Sequence, residues 1–144
     1  MTFPNAFELE QLTGGGTDRL STALAAADAL RARMRLGALV VVTSLLRSDG
    51  PTGCIEVLAV SAEGAWLIDS PLHAGPPHGA GDCFAALFLG HYLRSRSIED
   101  TLARAVSAIH GVLAASVGAA ELQIIAAQDQ LDPREPAFRP RRVR

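Results

Sequence analysis

The 144-residue sequence predicts an α/β fold, and three observations support that prediction. Helical and strand patterns alternate along the chain, which favours a sheet with helices packed on its faces. The β-branched run at 38–44 (ALVVVTS) shows no polar alternation, which is typical of a strand buried on both faces. A hairpin pattern follows this run, so we expect a sheet that is not purely parallel.

The first half of the chain begins with two predicted helices. NAFELEQLTGG predicts a short helix in which Asn5 is the N-cap, Glu8 stands at capping-box spacing and glycines end the helix. A second helix is predicted over 17–34, with Thr17 as its N-cap. The segments CIEVLAVS and AWLIDS flank the turn AEG and predict the hairpin.

The second half begins with a loop at 71–82, PLHAGPPHGAGD, whose three prolines and three glycines exclude a helix. The apolar segment DCFAALFLGHYLRS then predicts a helix, and Ser97 is the expected N-cap of another. ELQIIAAQDQL predicts a short strand followed by a helical turn. We expect the basic terminal segment RPRRVR to be a solvated tail.

The amino-acid composition and net charge argue against several classes of function. Hydrophobic residues make up 49% and charged residues 19%, which is typical of a globular protein. A net charge of −2 gives no electrostatic support to a nucleic-acid or anionic-membrane role. The two cysteines lie far apart, which argues against a metal or disulfide framework. With no signal-peptide pattern and no apolar run near the ~20 residues that span a bilayer, we expect a cytoplasmic protein.

The segment HGAGD, at 78–82, combines features that suit phosphate chemistry. Glycines allow successive backbone N–H groups to turn towards one point, and the first N–H groups of a helix have no partner within it. Together they predict an anion hole. Asp82 would repel a phosphate, but it could accept a proton from a hydroxyl that attacks phosphorus. The alternative is a plain loop in which Asp82 caps the helix.

Five segments resemble the ribokinase superfamily, and among its members the pyridoxal (vitamin B6) kinases. GAGDCFAALFLGHYL resembles the GxGD signature, and PNAFELEQLTG resembles the Asn-x-x-Glu helix of those enzymes. VVVTSL is similar to their strand that ends at the nucleotide phosphates, and AVSAIHGVL to their long helix after the glycine loop. ELQIIAAQDQLDPREPAF resembles a C-terminal segment peculiar to pyridoxal kinases.

The resemblance implies a ribokinase-like three-layer α/β/α sheet with helices on both faces, of which residues 1–144 would be the C-terminal, nucleotide-binding half. It implies ATP-dependent phosphorylation of the 5′-hydroxymethyl group of pyridoxal, pyridoxine or pyridoxamine to give pyridoxal 5′-phosphate. The implied cofactors are ATP and Mg²⁺. The acceptor would be a small molecule, and neither nucleic acid nor membrane is expected as a partner. We expect a homodimer or pairing with a missing N-terminal half.

Site residues follow from the same resemblance. Asp82 would be the catalytic base, and the anion hole would consist of Gly79, Ala80 and Gly81. The residues expected at ATP are Thr43, Ser44, Ser70, Pro71, Leu72 and His73. Asn5 and Glu8 would organise Mg²⁺ through water.

Other interpretations remain open at this point. Asn5 and Glu8 could form only a capping box, Thr43 could be an ordinary strand-end residue, and His110 could be a packing residue. For function, one alternative is a non-catalytic nucleotide-binding remnant or assembly module. Another is a hydroxymethylpyrimidine or sugar kinase of the same superfamily.

Overall fold

The computed structural model describes residues 1–75 and 77–144, so one position of the predicted 71–82 loop, Pro76, lies outside the described residues. The chain divides into two compact units. The first comprises Met1–Asp69 and Arg141–Arg144, and the second comprises Ser70–Pro140. Helices and strands are both present, which confirms the predicted α/β class.

The first unit is built from two helices and a sheet. Its sheet has the strand order β1-β2-β3-β4, in which β1 pairs antiparallel with β2 and β3 pairs antiparallel with β4. The predicted first two helices and the hairpin are confirmed. The bounds are α1 (Ala6–Thr13), α2 (Leu20–Ala32), β1 (Val40–Leu45), β2 (Cys54–Val60), β3 (Ala65–Pro71) and β4 (Arg141–Arg142).

The core of the first unit forms around β1. Val40, Val41 and Val42 are fully buried, as the unbroken β-branched run predicts. Helices α1 and α2 both pack against β1, through residues such as Leu9 and Ala27. On the side of β1 away from β2, the amino-terminal residues form parallel bridges. β1 is therefore the strand around which the sheet of this unit is organised.

The second unit is a helical pair followed by an irregular segment. It contains α3 (Ala80–Ser95), α4 (Ile98–Ala115) and a single 3₁₀ turn at Gln128–Gln130. Helices α3 and α4 pack against each other, with Phe88 and Leu102 fully buried. Ser97 caps α4 by accepting a hydrogen bond from the Asp100 amide, as predicted. Among the helices within residues 1–75 and 77–144, none is long and apolar enough to cross a membrane.

Two local predictions are wrong. Thr17 does not cap α2, because its N–H and its hydroxyl both donate to the Glu10 carboxylate, at 2.9 and 2.7 Å. The N-cap of α2 is Arg19. The strand predicted within 121–131 is replaced by turns. There the backbone N–H groups bond locally, for example Ala127 to the Gln123 carbonyl at 3.0 Å, and leave no ladder for a strand.

The carboxyl-terminal segment is also not the solvated tail that its charge predicts. Residues 141–142 form β4, and Val143 packs against the core. The Arg142 guanidinium lies 5.5 Å from the centre of the Trp66 ring, a cation–π arrangement. Arg144 donates two hydrogen bonds to the Asp28 carboxylate on α2. These contacts fix the end of the chain, because Arg141, Arg142 and Arg144 each have an acidic, aromatic or carbonyl partner in the same unit.

Candidate active site

The N-terminus of α3 is left without a side-chain cap. Gly79 is its N-cap residue, with φ 91° in the left-handed region that glycine tolerates. The helix begins when the Cys83 amide donates to the Gly79 carbonyl at 2.9 Å. No described side chain accepts a hydrogen bond from the amides of Ala80, Gly81 and Asp82. The positive end of this 16-residue helix therefore has first-turn N–H groups that no side chain caps.

This uncapped end contrasts with the starts of α1 and α4, whereas α2 likewise begins at Arg19 without a side-chain cap. Asn5 caps α1 and Ser97 caps α4, each by accepting a hydrogen bond from a backbone amide of the first turn. Such a cap typically stabilises a helix by about 0.5–2 kcal/mol relative to alanine. Helix α3 forgoes that stabilisation, and its amides stay available to an external anion.

Asp82 lies in the first turn of α3 and is exposed. Its carboxylate makes no hydrogen bond or ion pair within the described part of the chain. The alternative in which Asp82 caps the helix is wrong, because the N-cap position belongs to Gly79 and no side chain bonds the free amides. An exposed carboxylate with no partner can accept a proton from a hydroxyl that approaches it.

In the first unit the structure brings Asn5 and Thr43 together. They face each other in a parallel bridge, next to the hydrogen bond that the Thr43 amide donates to the Pro4 carbonyl at 2.9 Å. Thr43 is half-buried near the end of β1. The residues expected at the nucleotide phosphates and those expected at the metal therefore lie side by side on one edge of β1.

Ser44, the next residue, has an unusual backbone. Its φ is 55°, a left-handed conformation that non-glycine residues rarely adopt. It sits at a β-bulge, because Val42 pairs with Leu58 while Leu45 pairs with Glu56, so β1 has one extra residue there. The Ser44 side chain is exposed. Backbone strain of this kind clusters at ligand-binding sites.

Asn5 and Glu8 form a capping box, which was one of the two interpretations that the sequence allowed for them. The Glu8 amide donates to Asn5 Oδ1 and the Asn5 amide donates to Glu8 Oε2, both at 2.8 Å. Glu8 is exposed, and its second carboxylate oxygen makes no hydrogen bond with a described residue. A free carboxylate oxygen is a ligand type that suits Mg²⁺, which keeps several waters and is held by one or two carboxylates plus phosphates.

The other residues expected at the nucleotide, Ser70, Pro71, Leu72 and His73, do not form one loop. Ser70 and Pro71 end strand β3, and Ser70 is buried, whereas Leu72 is 47% exposed. His73 Nε2 lies 3.0 Å from His110 Nδ1 on α4, so one ring donates to the other. Burial, and then the nearby His73, lower the pKa of His110. His110 is therefore a packing residue that also holds His73.

The structure adds a buried ion pair that the motifs do not indicate. Arg47 Nε and Nη2 donate to the Glu56 carboxylate at 2.6 and 2.9 Å, and the two side chains are 3% and 2% exposed. Arg47 follows the bulge at Ser44, and Glu56 is paired with Leu45 on the neighbouring strand. The one sign of this ion pair in the sequence is Glu56, a charged residue within the otherwise apolar strand CIEVLAV.

Within residues 1–75 and 77–144, no group of three His, Cys, Asp or Glu side chains could hold a metal ion by itself. A metal at Asn5 and Glu8 would therefore need ligands from water and phosphate. That is the situation in which Mg²⁺ usually binds together with a nucleotide.

Comparisons with known proteins identify the family. The model of the pfkB family carbohydrate kinases matches residues 1–136. The pyridoxal kinase PdxY of Deinococcus radiodurans is 44% identical over 97% of this chain and 49% of its own length. The chain thus spans about half the length of the curated relatives that it matches.

Solved structures agree with this result. The crystal structure of pyridoxal kinase from Entamoeba histolytica has a TM-score of 0.84 and 26% identity, and the match covers 98% of this chain and 50% of that one. Plasmodium falciparum PdxK with ligands AMP-PNP and PL has a TM-score of 0.83 at 18% identity, covering 99% of this chain and 49% of that one, which shows a shared fold. The predicted ribokinase-like fold and the resemblance to pyridoxal kinases are confirmed, and the chain belongs to the pfkB family of carbohydrate kinases.

Proposed function

We propose that residues 1–144 form the nucleotide-binding half of a pyridoxal kinase domain. That domain would transfer the γ-phosphoryl group of ATP to the 5′-hydroxymethyl group of pyridoxal, pyridoxine or pyridoxamine. The observation on which the proposal rests is the exposed, unpaired Asp82 in the uncapped first turn of α3. The pyridoxal kinase relatives support this choice of acceptor.

Asp82 acts as the general base. It accepts the proton of the acceptor hydroxyl as that oxygen forms its bond to the γ-phosphorus, and the bond between this phosphorus and the bridging oxygen breaks to release ADP. The backbone amides of Gly79, Ala80 and Gly81, which form the proposed anion hole, stabilise the charge on the transferred phosphoryl group.

Further nucleotide contacts in this proposal come from β1 in the first unit and from residues 70–73 of the second unit. The Thr43 hydroxyl and the strained Ser44 turn bind the ATP phosphates, while Ser70, Pro71, Leu72 and His73 lie against the nucleotide. Asn5 and Glu8 would hold Mg²⁺ through water, and the cation would neutralise phosphate charge when bound. Both residues keep their capping box, because the free oxygen of Glu8 is sufficient for a water-mediated contact.

The chain requires a complement for turnover in this proposal, because it spans about half of its relatives' length. We infer a cytoplasmic protein whose acceptor side comes from the half of the fold that residues 1–144 do not match, or from a homodimeric assembly. This inference is consistent with the apolar side chains that the chain leaves exposed, such as Leu93 at 55%.

The test of the base is Asp82→Asn, assayed by transfer of label from [γ-³²P]ATP to pyridoxal in the presence of the complementing half. We expect kcat to fall about 10²–10⁴-fold with little change in the KM for ATP. The matched control is Glu99→Gln, which removes an exposed carboxylate from the first turn of the neighbouring helix α4 and should leave kcat unchanged. Full turnover by Asp82→Asn would show that the assignment of the base is wrong.

A second candidate is a nucleotide-binding module without turnover, which the half-length coverage favours. It predicts Mg-ATP binding by calorimetry and no phosphoryl transfer to any acceptor, with or without the complement. A third candidate, a kinase of sugars or of hydroxymethylpyrimidine, is favoured by the description of the family as carbohydrate kinases. A panel of these acceptors against the three B6 vitamers separates it from the main proposal.

A further inference from the structure

The sheet itself restrains Ser44 only weakly in its left-handed conformation. Before the bulge, β1 pairs with β2 in a run of consecutive antiparallel pairs. After the bulge, β1 has one more residue, Leu45, which pairs with Glu56. A positive φ costs a non-glycine residue about 1–3 kcal/mol and persists only where the surrounding structure enforces it. A single pair at the end of a strand opens easily, so a further restraint is needed on this side of Ser44.

The ion pair of Arg47 and Glu56 supplies that restraint. Glu56 is the residue opposite Leu45, and Arg47 lies two positions beyond Leu45 along the chain. The guanidinium donates from Nε and Nη2 to the two carboxylate oxygens, at 2.6 and 2.9 Å. A bidentate contact of this kind fixes direction as well as distance. It ties the segment after Ser44 to β2, so that the extra residue of the bulge cannot slip past the end of the strand.

The Glu56 carboxylate is itself held by its surroundings. Arg141 of β4 approaches it, with Nη2 3.9 Å from Oε1. A Cβ built on Gly50 would lie 3.1 Å from Glu56 Oε2, so the turn that joins β1 and β2 packs closely on the carboxylate. The side chains of Arg47 and Glu56 are both buried. A buried and closely packed pair has little room for another geometry.

The free energy of the ion pair does not by itself explain why charged residues occupy these positions. Replacement of a buried ion pair by apolar residues of similar volume is often neutral or stabilising, because the cost of desolvation offsets the attraction. Apolar residues lack the directional contact that selects one backbone arrangement. Here that arrangement is the bulge at Ser44, which the proposed function places at the ATP phosphates.

We propose that Arg47 and Glu56 are positioning residues for nucleotide binding, because their bidentate contact holds Ser44 in the conformation in which this turn meets the ATP phosphates. This inference rests on the proposed function, from which it takes the contact between the Ser44 turn and phosphate. It goes further by assigning a role to two buried side chains that act through the backbone of residues 44–47 rather than on the ligand.

The test compares the original chain with the double variant Arg47→Met with Glu56→Leu, which substitutes an apolar pair and removes the hydrogen bonds. Two quantities are measured: the Kd for Mg-ATP by calorimetry, and the nuclear Overhauser effect between the amide and α protons of Ser44, which is strongest at positive φ. Arg47→Lys is a second variant, which keeps the charge but loses the planar fork. The matched control is Asp49→Asn, which neutralises the exposed partner of the same guanidinium.

We expect the double variant to melt within a few degrees of the original chain. It should nevertheless lose the strong Ser44 signal and bind Mg-ATP at least about tenfold more weakly. Arg47→Lys should share both losses, whereas Asp49→Asn should keep the signal and an affinity within about twofold of the original.

A strong Ser44 signal in the double variant, or in Arg47→Lys if the double variant does not fold, overturns the proposal. So does an unchanged affinity for Mg-ATP in a variant that has lost the signal. An original chain that does not bind Mg-ATP would contradict the proposed function instead, and the Ser44 signal would still decide whether the ion pair holds the bulge.

Discussion

The buried ion pair of Arg47 and Glu56 gives the sharpest stability prediction. The perturbation is Glu56→Ala, which removes a carboxylate that accepts two hydrogen bonds from a guanidinium only 3% exposed. Asp49 also accepts from Arg47, at 2.5 Å, but its side chain is 41% exposed. The guanidinium would keep one partially solvated partner and lose its buried one.

The size of the expected loss in stability follows from the burial of the Arg47–Glu56 pair. Removal of one partner of a buried pair costs about 3–5 kcal/mol, because the remaining charge is desolvated and uncompensated. Exposed pairs contribute about 0–1 kcal/mol. At roughly 3 °C per kcal/mol for a chain of this length, Glu56→Ala should lower the melting temperature by about 10–15 °C. Such a loss is a large part of the 5–15 kcal/mol that typically separates native from unfolded protein.

The assay is urea unfolding followed by the fluorescence of Trp66, the one tryptophan of the sequence. Glu56→Gln keeps the shape of the side chain and should cost less than Glu56→Ala. The double variant Arg47→Met with Glu56→Leu should be within about 1 kcal/mol of the original chain, because an apolar pair needs no solvation. The control is Arg94→Ala, whose ion pair with Asp132 is 67% and 51% exposed. A double variant no more stable than Glu56→Ala, or a Glu56→Ala loss as small as that of the control, would refute the reasoning.

Three further predictions concern local features. Ser44→Gly should raise the free energy of unfolding by about 0.5–1 kcal/mol, because relief of ~1–3 kcal/mol of backbone strain exceeds the entropic cost of glycine. A lower free energy of unfolding in urea would contradict this prediction. Asn5→Ala should cost about 0.5–2 kcal/mol by removing the α1 cap, whereas Asn5→Asp should keep it, as thermal unfolding can check. Hydrogen bonds from Arg144 lower the pKa of Asp28, so their stabilisation is complete above about pH 4 and is lost as the pH falls towards the lowered pKa. Arg144→Ala should flatten that acid limb in unfolding curves measured from pH 5 to about 2, and an unchanged limb would exclude the pair as its cause.

Local signals in the sequence predicted the helices well because their causes lie within a few residues. The capping box needs only Asn5 and Glu8, three positions apart, and Gly14 ends α1 in the left-handed conformation expected of a C-cap glycine. Ser97 and the acidic first turn of α4 are equally local. The free N-terminus of α3 was predictable for the same reason, since the glycines before Asp82 provide no side chain that could cap it.

Contacts between distant residues were not predictable from the same information. The sequence shows the charges of Asp28 and Arg144, but nothing within either segment indicates that they pair across 116 positions. The segment VVVTSL likewise gives no sign that Ser44 adopts a positive φ. That conformation results from the bulge that brings Leu45 opposite Glu56, and so depends on the register of a second strand.

Two features that weaken the local structure coincide with the segments that the proposed function assigns to phosphate, although Arg96, at φ 57°, is strained in the same way outside them. A chain shaped by stability alone would place glycine at the left-handed position 44 and a capping serine or aspartate at position 79. This chain has the reverse arrangement, with a side chain where backbone strain penalises it and a glycine where a cap would stabilise α3. Departures from local rules without structural compensation are expected at functional sites. Because Ser44 brings a hydroxyl and Gly79 leaves amides free, both departures supply hydrogen-bond donors that a phosphate can use.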